Sequence, residues 1–137
     1  MSQGILLDTC ALIWTVNGSD LSESAIKKIN ASAGNGALFV NPMSAWEVGM
    51  LSSKGRLTLS MSVRRWFERI ADNPAFQLAE LSHGILINST ALPGSPPNDP
   101  VDRIMLAMAR ENDLELMTRD REILNYAGEG HARAISC

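Results

Sequence analysis

The chain has 137 residues, of which 45% are apolar and 20% charged, with a net charge of -3. That is the balance of one globular domain with a real core, and no apolar run approaches the roughly 20 residues of a membrane span. The acidic balance argues against a simple electrostatic DNA coat, but a nucleic acid substrate stays open because a bound cation reverses the local sign of an acidic pocket.

The N-terminus is polar and lacks a basic n-region or small-residue cleavage site, so it reads as a mature, cytoplasmic protein. Cys10 and Cys137 do not make a disulfide framework. Cys10 is expected to pack inside and Cys137 to be a loose terminus. His83 and His131 stand alone, and no cysteine or histidine has zinc-ligand spacing.

In chain order, Ile5-Leu6-Leu7 reads as a short buried strand. Ala11 to Val16 continues as a short helix ended by Asn17-Gly18. Ser22 opens a second helix, with Ile26 and Ile29 on one face and Lys27 and Lys28 on the other. Gly34-Asn35-Gly36 turns into a second strand, Ala37 to Val40. Pro42 or Ser44 starts a helix reaching about Ser53, closed by Lys54-Gly55-Arg56. Ser62 to Asp72 is amphipathic, with Val63, Trp66, Phe67 and Ile70 at helical spacing. Phe76 to Leu81 predicts a third strand and Ser82 to Ala91 a short helix. A loop around Pro93 to Asn98 leads into a helix from Asp99-Pro100, with Ile104, Ala107 and Met108 spaced for burial. Leu114 to Thr118 is the fourth strand, Asp120 to Tyr126 a short helix, and Arg133 to Ser136 a weak final strand. Short apolar strands alternating with helices imply an α/β fold with a parallel sheet covered on both faces. The chain shows no repeat or linker and reads as one domain over 1–137.

Asp8, Glu47, Asp102 and Asp120 lie where apolar stretches give way to helices. Each has an ordinary explanation. Asp8 and Asp120 suit N-caps, Ser44-x-x-Glu47 fits a capping box, and Asp102 sits in the first turn after Asp99-Pro100. Their joint placement says more. Parallel strands end along one edge, which is where ligands bind in open sheets. Two unit charges about 4 Å apart repel by roughly 4 kcal/mol at an effective dielectric near 20, and helix N-termini relieve only about 0.3–1 kcal/mol each. A hard divalent cation resolves such a cluster.

These residues carry a resemblance to the PIN domain, and within it to the VapC-type ribonuclease toxins of prokaryotic toxin–antitoxin pairs. The matching pieces are Leu6-Leu7-Asp8-Thr9, Ser44-Ala45-Trp46-Glu47, Asp99-Pro100-Val101-Asp102-Arg103 and Leu116-Met117-Thr118-Arg119-Asp120. Val101 stands where the commoner form of its motif has Phe. The resemblance implies a three-layer α/β/α domain with a central parallel sheet of four to five strands. It also implies that Asp8, Glu47, Asp102 and Asp120 are the catalytic and metal-binding acids, with Thr9, Asp99 and Thr118 around them. Mg²⁺ or Mn²⁺ would activate water for attack on an RNA phosphodiester, leaving a 5′-phosphate and a 3′-hydroxyl. Glu47 would be a ligand or would orient the water.

The resemblance further implies a homodimer and a cognate antitoxin, laid across an apolar groove near Trp14, Ile26 and Trp46. Lys54, Arg56, Arg64, Arg65 and Arg69 form a basic zone able to follow an RNA backbone, or a solvated face. Arg103 and Arg119 flank acids and are expected to pair with neighbouring carboxylates, with contact to phosphate as the alternative. The three tryptophans, with Met43, Met50, Met61, Met105 and Met108, read as core or interface packing. Alternatives are a PIN nuclease of RNA processing, a Mg²⁺-dependent phosphoacceptor, and a non-catalytic binding module.

Overall fold

A computed structural model describes residues 4–137. Five strands form one sheet: β1 (Ile5–Leu7), β2 (Leu38–Val40), β3 (Gln77–Leu78), β4 (Glu115–Thr118) and β5 (Arg133–Ser136). Their order is β3-β2-β1-β4-β5, and every pairing is parallel. Seven helices among the described residues complete the α/β architecture: α1 (Thr9–Asn17), α2 (Glu23–Gly34), α3 (Met43–Ser53), α4 (Val63–Asp72), α5 (His83–Ser89), α6 (Pro100–Glu111) and α7 (Arg121–Gly128).

The strands are apolar runs because both faces of the sheet are covered. Leu7, on β1, joins Leu12, Ile29, Val48, Trp66 and Ile70 in one core, on the side of α1 to α4. Leu6, one residue away, points to the other face and joins Met105, Leu106, Leu116, Ile123 and Tyr126. The period of two along the strand makes that division. No helix among the described residues is long and apolar enough to cross a membrane.

Local chemistry sets most helix boundaries. Ser22, Ser62 and Ser82 accept from the backbone N–H three residues on, each satisfying an orphan donor of a first turn. Gly18 ends α1 at φ 69°, with its N–H donating to Trp14 O at 2.8 Å.

Four expectations change. β3 is two residues long rather than Phe76 to Leu81, because it is an edge strand that pairs only at Phe39 and Val40. On α2 the buried face is Ala25, Ile29 and Ser32, while Ile26 is 44% exposed. The cysteines exchange roles: Cys10 is exposed and Cys137 buried. Cys137 is tied down by its N–H to Thr118 O and by Ser22 N–H to its carbonyl. Finally, α3 has no capping box. Its N-cap is Pro42, without a side-chain cap, and Ser44 is fully buried inside the first turn.

Leu116, fully buried on β4, should matter far more than Leu78, 49% exposed on β3. Urea unfolding of Leu116→Ala should show a loss of about 2–5 kcal/mol, against about 0.5 kcal/mol or less for Leu78→Ala. Equal losses would contradict this placement of the core.

Candidate active site

Because all five strands are parallel, β1, β2 and β4 end on one edge. Asp8 follows β1 directly, and its backbone N–H donates to Met117 O on β4 at 3.1 Å. It is the N-cap of α1 and is 9% exposed. Oδ1 accepts Ala11 N–H at 2.7 Å, and Oδ2 accepts the Thr118 hydroxyl at 2.5 Å. Thr118, fully buried at the end of β4, in turn accepts Asp120 N–H at 3.0 Å. One hydroxyl therefore links two acids 112 positions apart.

Asp120 caps α7, its Oδ1 accepting Glu122 N–H at 2.8 Å and Ile123 N–H at 3.1 Å. Asp99 caps α6 through Val101 N–H at 2.9 Å and Asp102 N–H at 3.0 Å, with Pro100 at the first helical position. Asp102 lies one turn into α6. Glu47 comes from α3, where Thr9 donates to its Oε1. The Ser44 hydroxyl is 3.0 Å from Thr9 Oγ1. With the Thr9 proton committed to Glu47, Ser44 is the donor in that contact. The pair that would have closed a capping box is thus drawn instead onto a threonine of another element.

Asp8, Glu47, Asp99, Asp102 and Asp120 line a single cavity of about 650 Å³. Their charges act on one another. Burial first, and then Asp99, Asp120, Glu47 and Asp8 in that order, push the Asp102 carboxyl up to about 7 from 3.8. Glu47 is raised by burial, with Asp99 and Asp8 adding to it against the Thr9 hydrogen bond. Asp8 is raised by burial and by Asp120, although its two hydrogen bonds and Arg119 oppose the shift.

The donors are all hard oxygens, and their repulsion adds to burial in lifting Asp102. Such a set fits a hard divalent cation. As the side chains stand, no group of three or more His, Cys, Asp and Glu among the described residues is close enough to hold an ion.

All seven residues expected at the site thus meet at one edge, Thr9 and Thr118 as hydroxyls bonded to the acids. The arginines do something else. Arg103 donates to Pro97 O at 2.7 Å and to Ser89 O at 3.5 Å. Arg119 donates to the carbonyls of Asp20 and Cys137 and lies over the Trp14 ring, 4.0 Å from its centroid. Neither makes an ion pair among the described residues.

Of the basic zone, Lys54 and Arg56 line the cavity, whereas Arg64, Arg65 and Arg69 lie on α4 away from it. Trp14 and Trp46 line it too, but Ile26 borders a separate hollow of about 220 Å³, so the three do not share one groove. Sequence reasoning also missed Cys10 at the cavity wall. Surrounded by burial, Asp8 and Glu47, its thiol is pushed up to about 11, so it stays protonated. Asn41, fully buried just after β2, donates through Nδ2 to no partner among the described residues.

A carboxyl whose folded pKa is raised stabilises fully below its unfolded value and loses that contribution as pH climbs through the folded one. For Asp102 this window runs from 3.8 to about 7. In chelator, Tm should fall as pH rises across it, and Asp102→Asn should flatten the fall and raise Tm at pH values above the window. An equally steep fall in the variant would remove Asp102 from the centre of the repulsion.

The PIN domain family model matches residues 5–129. Ribonuclease VapC22 of Mycobacterium tuberculosis is 28% identical over 133 residues, 96% of each chain. Two solved structures share the fold. The crystal structure of VapBC2 from Rickettsia felis bound to a DNA fragment from their promoter superposes at TM-score 0.69 and 12% identity, covering 96% of this chain and 97% of that one. FitAcB from Neisseria gonorrhoeae superposes at 0.59 and 16% identity, covering 96% of each. The family match takes in every acid at the sheet edge, and the chain belongs to the PIN domain family.

Proposed function

We propose that this chain is a divalent-cation-dependent endoribonuclease and the toxin half of a toxin–antitoxin pair. One observation carries the reading: five carboxylates from separated stretches line one cavity, where burial and neighbouring charge raise the pKa values of Asp8, Glu47 and Asp102. The family match and the likeness to a protein named as a ribonuclease support it. The antitoxin partner is inferred from the fold shared with VapBC2 and from the same likeness. The homodimer that the resemblance implies and the cytoplasmic location read from the sequence belong to the same proposal.

Asp8, Asp102 and Asp120 would hold Mg²⁺ or Mn²⁺, with Glu47 as a further ligand or beside it. Bound there, the ion would supply Lewis acidity, easing deprotonation of water and offsetting charge on the phosphodiester. The chain's own groups do the rest. Thr118 fixes one oxygen of Asp8, and Ala11 N–H fixes the other, so Asp8 has one orientation. Asp99 and Asp120 are clamped by backbone N–H groups of their helices. Glu47 is fixed at Oε1 by Thr9, and its raised pKa suits it to orient the attacking water and take its proton. Asp102, whose carboxylate has no such clamp among the described residues, would be the acid best able to rotate towards the ion. In-line attack then breaks the bond to the 3′ oxygen.

Cleavage of single-stranded RNA by the purified chain tests this reading. Activity should require Mg²⁺ or Mn²⁺, stop with chelator and leave 5′-phosphate ends. Asp8→Asn should lower it at least about 100-fold, within the range of general acid–base and metal effects. No cation-dependent cleavage, with Asp8→Asn matching the parent, would make the chain a binding module.

The hydroxyl linking Asp8 and Asp120 has its own signature. Thr118→Val should cut activity about 10- to 100-fold, as loss of a group that orients a ligand does, while circular dichroism stays native. Unchanged activity would show that Asp8 needs no help in pointing at the cavity.

A further inference from the structure

We infer that Trp46 is a stacking platform for one base of single-stranded RNA, with Lys54 and Arg56 holding the adjoining phosphates. This rests on the ribonuclease reading and adds how the substrate strand is gripped.

The tryptophans differ in the faces they offer. Trp66 is 7% exposed and lies in the core. Trp14 packs against that core, and Arg119 covers its ring. Trp46 is 56% exposed and lines the acid cavity. An indole so exposed forfeits burial that the fold could have used. It is also the aromatic ring at the cavity left open to a ligand.

Helix geometry orders the wall. Trp46, Met50 and Lys54 follow one another at four-residue steps, so they form a row along α3. Lys54, the C-cap of α3, lies about 12 Å along the axis from Trp46, and Glu47, one position after Trp46, projects from a neighbouring face near the Trp46 end. Arg56 follows α3 and lines the same cavity. Among the described residues, neither Lys54 nor Arg56 makes an ion pair. The wall therefore carries an exposed indole beside the Glu47 carboxylate at one end and two cations without ion-pair partners among the described residues at the other. A nucleic acid strand carries the matching parts: a planar base, and phosphates on either side of it. Stacking accepts any base, so this wall grips the strand without dictating its sequence. An apolar protein segment would match the indole but not the cations.

The test is steady-state cleavage of an RNA oligonucleotide by the whole chain with Mg²⁺. Trp46→Ala should raise KM about 5- to 100-fold, the range for losing one stacked base, with kcat little changed, and Trp46→Phe should recover most of the loss. Lys54→Ala and Arg56→Ala should each lessen the dependence of log KM on log salt by about 0.7. Binding is read separately in the Asp8→Asn chain: single-stranded RNA should quench indole fluorescence, and adding Trp46→Phe should abolish most of the quench. An unchanged KM in Trp46→Ala beside an active parent overturns the platform and leaves the ribonuclease reading standing. So does an unchanged KM combined with weakened binding of a cognate antitoxin, which would assign the wall to a protein partner. If the parent cleaves no RNA, the ribonuclease reading fails, and the quench alone decides: its presence supports the platform and its absence overturns it.

Discussion

Repulsion among carboxylates at the end of a parallel sheet is the constraint around which this molecule is arranged. Asp8, Glu47, Asp99, Asp102 and Asp120 share one cavity, and burial together with their mutual charge holds Asp102 near a pKa of about 7. A fold selected for stability alone has little reason to gather them. The structure tolerates the cluster by giving most members a local anchor. Asp8, Asp99 and Asp120 each cap a helix, where the positive end of the dipole favours an anion. Thr118 and Thr9 supply hydroxyls to Asp8 and Glu47. Capping and the proposed cation site therefore draw on the same residues, rather than being competing explanations for them.

The sheet supplies the geometry. With β1 at its centre between β2 and β4, the first acid emerges in the middle of the edge. Thr118 ends the neighbouring strand and Asn41 follows the other. Helices α3, α6 and α7 then bring the remaining acids inward from both sides of the sheet. The two cores, divided by the alternation of Leu6 and Leu7, hold these helices in place.

Much of this was legible in the chain, because it depends on short-range chemistry. Serine and aspartate caps announce α2, α4, α5, α6 and α7, since the bond they make is three residues long or less. Apolar triplets announce β1 and β2. The readings that failed depend on a distant partner. Ser44 and Glu47 satisfy a capping-box pattern locally, yet Thr9, 38 positions before Glu47, takes the carboxylate. Arg103 and Arg119 neighbour acids in sequence but find backbone carbonyls in space. β3 is short because its one neighbour, β2, offers few pairing positions, which no apolar pattern encodes. Trp46 carries the same residue type as Trp66, and only tertiary packing separates an open ring from a buried one.

Calorimetric titration of the metal-free chain with Mn²⁺ near pH 7 tests directly whether the acids act as one cation site. Binding should release protons, seen as a dependence of the observed heat on the buffer's ionisation enthalpy, because Asp102 is partly protonated before the ion arrives. Asp8→Asn should weaken binding, and Asp102→Asn should weaken it while reducing the proton release. Mn²⁺ that fails to bind, or that binds both variants as it binds the parent with unchanged proton release, would contradict the account at its base.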